Sequence, residues 1–237
     1  MAAGIDRRRP MKPVRKYATD ASRVVGDART RRALARPSGR TKLQQEQKEE
    51  TRERLLRAAQ QVFDRHSYAA ASVEDIIVAA GASRASFYRH FDSKWDVASA
   101  LCGLVMPEAW QLWHELAGFG NPGEGALKDW LRRRLALYHR HRAMFLMMRE
   151  AVALEPAGAA AVVRTHDEVI HVLASGLSAF RKALARTAAG QLAHIRACLL
   201  LMQLDEFTYT LAVRGWDVNN EIAIDVMSAQ IKGFIAD

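Results

Sequence analysis

Capping residues alternate with apolar stripes at helical spacing along most of this 237-residue chain. That alternation restricts the chain to an all-α fold, because positions three and four apart share one helix face. Leu55, Leu56, Ala59, Val62 and Phe63 form one such stripe. The spacing predicts a helix that ends near His66 to Tyr68, with Thr41 and Gln44 fitting a capping box upstream. Ser72 is a good N-cap for a second helix, with Glu74 and Asp75 in the first turn, where the helix dipole favours acids. Val73, Ile76, Ile77 and Ala80 give that helix one apolar face, and Gly81 stops it. Ser83 caps a third helix running to Phe91, with Phe87 and Phe91 one turn apart as its buried anchors. Three helices in about fifty residues, the last two joined by a tight glycine turn, have the layout of a helix-turn-helix unit.

Longer helices are expected from Ser93 onward. Gly118 to Gly125 reads as a loop, and Ala126 to Glu150 as helix with a break near His141. Pro156 and Gly158 mark a turn. Ala159 to Arg186 and Gln191 to Val213 read as long helices; Gly215 ends the second, and Asn219 or Asn220 caps a last helix to Ile235. No stretch alternates as a strand would. The expected organisation is an arm over residues 1–40, a helix-turn-helix domain over 41–92, and a larger helical domain over 93–237. The clean apolar run Ala197 to Met202 is far shorter than the ~18 residues of a membrane span. Cys102 and Cys198 sit in apolar helical stretches and read as reduced core residues of an intracellular protein.

The net charge of +9 is unevenly placed. Residues 1–42 hold 13 Lys and Arg against 3 acids, and the remainder holds 22 against 23. A basic segment beside a neutral body points to a polyanion such as nucleic acid or anionic lipid; a solvated tail is the plain alternative. Sparse apolar content and three prolines predict disorder over residues 1–40. The segment lacks the apolar centre of a secretory signal, but its arginine-rich, acid-poor character overlaps with a mitochondrial transit peptide. Beside a helix-turn-helix, such an arm can track the DNA backbone or enter the minor groove.

The third helix is too short and too polar to be core. Around Phe87 and Phe91 it presents Arg84, Ser86, Tyr88, Arg89 and His90. Arginine pairs bidentately with guanine, whereas Tyr, His and Lys more often meet phosphate. Backbone N–H groups where Ser72 and Ser93 open helices also suit phosphate. Each residue has a plainer reading: Arg89 as a solvated cation, Ala85 as a small residue that permits close approach or meets a thymine methyl, His90 as a structural ring. The segment Gly81-Ala82-Ser83-Arg84-Ala85-Ser86-Phe87-Tyr88-Arg89-His90-Phe91-Asp92-Ser93-Lys94, preceded by Ser72-Val73-Glu74-Asp75-Ile76, resembles the DNA-binding domain of TetR-type (TetR/AcrR-like) transcriptional regulators. The resemblance covers Arg52 to Leu101. It implies that Arg84, Ala85 and Ser86 read bases, that Tyr88, His90 and Lys94 clamp phosphates, and that Ser72, Ser83 and Arg89 belong to the same surface.

Four of the eight Met and three of the five Trp lie between Met106 and Met148. A helical bundle needs such a core, yet adaptable Met beside rigid aromatics also suits an apolar cavity. The resemblance implies an inducer pocket in this domain, and Trp110, Trp113, Phe119, Trp130, Tyr138, Phe145, Met148, Gln203 and Phe207 are the candidate lining. Gln203, Asp205 and Glu206 interrupt an apolar helix and must face a ligand, an arginine or solvent. The last two long helices are the expected homodimer surface, with Ile224, Met227, Ile231 and Phe234 or Ile235 near heptad spacing; packing within the monomer is the alternative. The partners implied are a double-stranded palindromic operator, a second copy of the chain and a small apolar effector, with no membrane.

No enzyme is expected. The chain lacks a P-loop, a dinucleotide fingerprint and a nucleophile elbow. His166-Asp167-Glu168-Val169-Ile170-His171 has its histidines five apart rather than four, so they do not share a helix face. His139 and His141 do not share one either. No cofactor and no metal site is expected. The expected function is a DNA-binding repressor released by a ligand; the alternative is a helical small-molecule-binding protein without sequence-specific DNA binding.

Overall fold

The computed structural model describes residues 39–236, with side chains from Lys42 onward. The arm expected over residues 1–40 lies outside them, apart from Gly39 and Arg40, which are already helical. Thr41 therefore lies inside a helix rather than at its cap. Residues 43–237 form one compact unit, and every contact below lies within it.

Eleven helices and no strand occur among the described residues. They are α1 (Gly39–Ala70), α2 (Val73–Ala80), α3 (Arg84–His90), α4 (Lys94–Cys102), α5 (Met106–Gly118), α6 (Glu124–Arg140), α7 (Arg142–Leu154), α8 (Pro156–Ala174), α9 (Ser178–Lys182), α10 (Ala188–Tyr209) and α11 (Asn220–Ala236). Thr210–Arg214 continues α10 as a π-helical turn, which Gly215 ends in the left-handed conformation. Asn219 accepts from the N–H groups of Glu221 and Ile222 and so caps α11. The α6–α7 break falls at His141.

Three expectations from sequence differ. Helix α4 has only 9 residues, so no long helix starts at Ser93. Gly158 lies inside α8 rather than in a turn: a Cβ there would come 2.5 Å from the Cα of Val152, so glycine lets α8 cross α7 closely. The stretch 159–186 is not one helix. It stops at Ala174, and a Cβ on Gly176 would lie 1.8 Å from the Ala117 carbonyl oxygen. Close backbone contact, not helical periodicity, decides the path there.

The chain builds two apolar cores. The first joins Leu55, Ala59, Phe63, Tyr68, Ile76, Phe87 and Phe91 to Val97 and Leu101 of α4, and also to Met147 and Ala151 of α7. The second gathers α5, α6, α8, α9, α10 and α11 around Trp113, Trp130, Ile170 and Phe180. Helix α7 thus contributes to the first core while its other residues face the second half of the molecule.

Candidate nucleic-acid interface and ligand cavity

Local chemistry sets the α2–α3 unit. Ser72 Oγ accepts from the Asp75 N–H at 3.1 Å, and the Asp75 carboxylate accepts from the Ser72 N–H at 2.9 Å, completing a reciprocal capping box. Gly81 then turns the chain at φ 55°, where a side chain would be strained. Ser83 Oγ accepts from the Ser86 N–H at 3.1 Å and starts α3. Phe87 is fully buried and packs 5.9 Å from the Phe91 ring, which pins the helix from beneath. Arg84, Ala85, Tyr88 and Arg89 are left exposed on its outer side, with Ser86 and His90 half-buried.

Cations gather on this surface. His90 is held below its ordinary pKa, first by burial and then by Lys48, Arg89 and Arg52. Arg52 of α1 also stacks over Phe91, 5.3 Å from the ring centre. Arg84 pairs loosely with Glu74 of α2 at 3.7 Å, both side chains being well exposed. Lys48 and Arg52 were not singled out from sequence. Their position on a polar helix gave no sign that α1 runs beside the end of α3.

Residues 55–101 match the family model for bacterial regulatory proteins of the tetR family. The chain carries a TetR-type DNA-binding domain. Solved structures resemble the chain well beyond that match. A protein from Syntrophomonas wolfei strain Goettingen assigned to the TetR family of transcriptional regulators aligns with a TM-score of 0.55 at 14% identity, over 80% of this chain and 96% of its own. A protein from Pseudomonas aeruginosa PAO1 assigned as a transcriptional regulator aligns with a TM-score of 0.52 at 20% identity, over 79% of this chain and 91% of its own. At such identities the likeness is one of fold. A comparison with curated proteins found no significant match.

Two residues of the expected DNA surface of this TetR-type domain are engaged elsewhere. Lys94 does not face outward to clamp phosphate. Its Nζ donates to the carbonyls of Tyr68 at 2.7 Å and Ala71 at 2.8 Å and sits 4.2 Å from the centre of the Tyr68 ring. It closes the turn after α1, where Ser67 breaks the helix at φ 62°. Ser72 directs its hydroxyl and its N–H to Asp75, whose carboxyl those bonds hold below the usual range. An ionised carboxylate already stands at the α2 N-terminus and disfavours phosphate there. Asp96 does the same beside Ser93, accepting from the Asp92 N–H at 3.0 Å.

The aromatic cluster splits in two. Trp113 and Trp130 are core, not cavity wall: their rings lie 5.3 Å apart, and Trp130 donates to the Leu112 carbonyl at 2.7 Å. Trp110 and Phe119 are half-buried against the same core and line none of the cavities described below. Tyr138, Phe145 and Met148 do line a cavity of about 380 Å³, together with Arg149, Val152, Val162, His166, Met202, Asp205, Glu206 and Tyr209. The Tyr138 and Phe145 rings stack there at 3.7 Å. Gln203 and Phe207 line a different space of about 650 Å³ between α10 and α11, no more open to solvent than the first. A smaller cavity of about 240 Å³ lies between Phe63, Leu101 and Met144.

Arginines answer the acids on α10. Arg134 is buried, stacked between Trp113 at 4.6 Å and Tyr138 at 5.0 Å, and bonds Asp205, Thr208 and Tyr138. His166 Nε2 meets the other Asp205 oxygen at 2.9 Å. Glu206 pairs with Arg149, and that bond lowers its pKa. Sequence gave no reason to single out Arg134, since Asp205 and Thr208 lie more than seventy residues away.

The apolar stripe expected at the dimer surface packs inside the monomer. Ile224, Met227 and Ile231 are buried in the second core, and Phe234 lies 4.9 Å from Phe180. Ion pairs Lys128–Asp225 and Arg132–Glu221 fix α11 on α6. The outer face instead carries Leu192, Ile195, Leu199 and Met202 on α10, with Ile222 and Val226 on α11, each at least half exposed.

Proposed function

We propose that the chain is a transcriptional repressor that binds a palindromic operator as a homodimer and is released by a small, largely apolar ligand. It acts by binding rather than by catalysis. The exposed side of α3, pinned by buried Phe87, carries this reading. Arg84, Ala85 and Ser86 meet base edges; Tyr88, Arg89 and His90, supported by Lys48 and Arg52 of α1, meet phosphate. Among the described residues no helix is long and apolar enough to cross a membrane.

One such helix reads a single half-site. Two copies joined through the exposed faces of α10 and α11 would set two recognition helices about 34–36 Å apart, one DNA turn. The effector occupies the cavity lined by Tyr138, Phe145, Met148 and His166. Helix α7 supplies the link. Phe145, Met148, Arg149 and Val152 face that cavity, while Met147 and Ala151 sit in the helix-turn-helix core. Glu150 accepts from the Ala69 N–H at 3.1 Å and Glu155 accepts from the Tyr68 hydroxyl, so α7 also grips the end of α1. A ligand that prefers a shifted α7 tilts the recognition unit and draws the population away from DNA. Coupling of about 1–3 kcal/mol is typical of such devices.

The test is gel retardation of the chain's own promoter region by wild-type protein and by the double variant Arg84→Ala/Tyr88→Ala. The variant should lose about 1–3 kcal/mol of sequence discrimination while keeping its circular dichroism. Unchanged selective binding in the folded variant would refute the proposal. Absence of any specific retardation by the wild type would favour a helical ligand-binding protein.

A further inference from the structure

Asp167 of α8 and His194 and Cys198 of α10 bring a carboxylate oxygen, an imidazole nitrogen and a sulfur together, with all three ligand atoms within 4.8 Å of one another. Each residue is half-buried. None belongs to the recognition surface or lines the cavities. His194 Nε2 lies 3.5 Å from Asp167 Oδ1 and 3.5 Å from Cys198 Sγ. The Cys198 contact is a hydrogen bond between residues one helix turn apart, and the Asp167 contact is longer than a usual N–H···O bond, so His194 Nε2 sits centrally between the other two donor atoms.

A metal ion fits the same three donor atoms. Tetrahedral bonds of ~2.0–2.1 Å to N and O and ~2.3 Å to S place N and S about 3.5 Å apart and N and O about 3.3 Å apart. The two separations from His194 Nε2, both 3.5 Å, agree with these to within a few tenths of an ångström. His194 and Cys198 are one turn apart on α10, so a rigid helix presents both donors to one point. Thiolate with imidazole selects a borderline-soft ion over magnesium or calcium.

We infer that Asp167, His194 and Cys198 bind a single zinc ion that bridges α8 to α10 and keeps a fourth position open to water. Binding converts the Cys198 thiol to a thiolate and releases its proton to solvent. Three protein donors with one open position make an exchangeable site rather than a closed structural one. Asp167 adjoins His166, whose ring holds Asp205 at the cavity wall, so loading the site bears on the wall of the proposed effector cavity.

The experiment uses the full chain without an affinity tag. Zinc chloride is titrated by calorimetry, and cobalt(II) replaces zinc for absorbance spectroscopy. One equivalent should bind, and cobalt should give a thiolate-to-metal charge-transfer band with the intense visible bands of a tetrahedral site. Cys198→Ser should abolish the charge-transfer band, and His194→Gln or Asp167→Asn should weaken binding at least about tenfold. Cys102→Ser should leave both unchanged. A wild-type cobalt spectrum without a thiolate band overturns the inference whether or not the variants fold. So does a Cys198→Ser protein that binds zinc as tightly as wild type.

Discussion

Lys94 illustrates what a single residue's sequence neighbourhood leaves out. It lies two positions after Asp92, where a cation near a recognition helix reads as a phosphate contact. Its partners are carbonyls 26 and 23 residues earlier in the chain, reached only once Ser67 has broken α1. Lys94→Met should therefore lower stability by about 1–3 kcal/mol in urea titration, by leaving two carbonyls unmatched. It should leave the salt dependence of DNA affinity unchanged, whereas Lys48→Ala should reduce that slope by about 1. His90 makes a pH prediction. Folding holds its pKa below the ordinary value of about 6.5 through burial and the nearby cations Lys48, Arg89 and Arg52. The unfolded chain binds the proton more tightly, so acid favours unfolding. The stability His90 permits is whole above about pH 6.5 and is lost as pH falls through the lowered folded value. Urea midpoints at pH 7 and pH 5 should differ less in His90→Gln than in wild type; equal differences would remove His90 from the account. By contrast, the caps at Ser72, Ser83 and Asn219 were legible because each satisfies N–H groups two or three residues away.

At the scale of elements, boundaries set by local chemistry could be read and those set by tertiary contact could not. Gly81 and Gly215 stop helices through their own left-handed backbone. Gly158 and Gly176 carry the same letter but act through a neighbour: Val152 crowds one and Ala117 the other. Periodicity over 159–186 continues past Ala174, because it cannot register the α5 carbonyl that the chain must clear. Gly176→Ala should thus cost at least about 1–3 kcal/mol in a urea titration, by forcing α5 and the α8–α9 turn apart. Gly125→Ala meets nothing within 4 Å and should stay close to wild type. Equal stability of the two variants would show that the close approach carries no strain. Helix spacing also hid the zinc-type cluster. His166 and His171, five apart, share no face, while His194 and Cys198, four apart and of mixed type, do.

For the whole molecule, α7 joins the first core and packs on α8 of the second, and a row of exposed apolar side chains runs along α10 with Ile222 and Val226 of α11. Periodicity offered Ile224, Met227 and Ile231 as a partner-facing stripe, because a core-facing and a partner-facing stripe are both apolar at the same period. Burial separates them. Ile224, Met227 and Ile231 face α6 and α9, while Leu192, Ile195, Leu199 and Met202 repeat at three and four residues on open surface. Such a row of exposed apolar side chains is the surface a second copy would cover in the proposed dimer. Leu199→Glu should accordingly convert a dimer to a folded monomer in sedimentation equilibrium, with its helical signal retained. Because one recognition helix then reads one half-site, operator affinity should fall far more than affinity for a single half-site. Ile231→Glu places a charge in the second core and should instead unfold the chain. If Leu199→Glu sediments as wild type and binds the operator unchanged, the copies do not meet through this face, and the recognition helices must be spaced by some other surface of the protein.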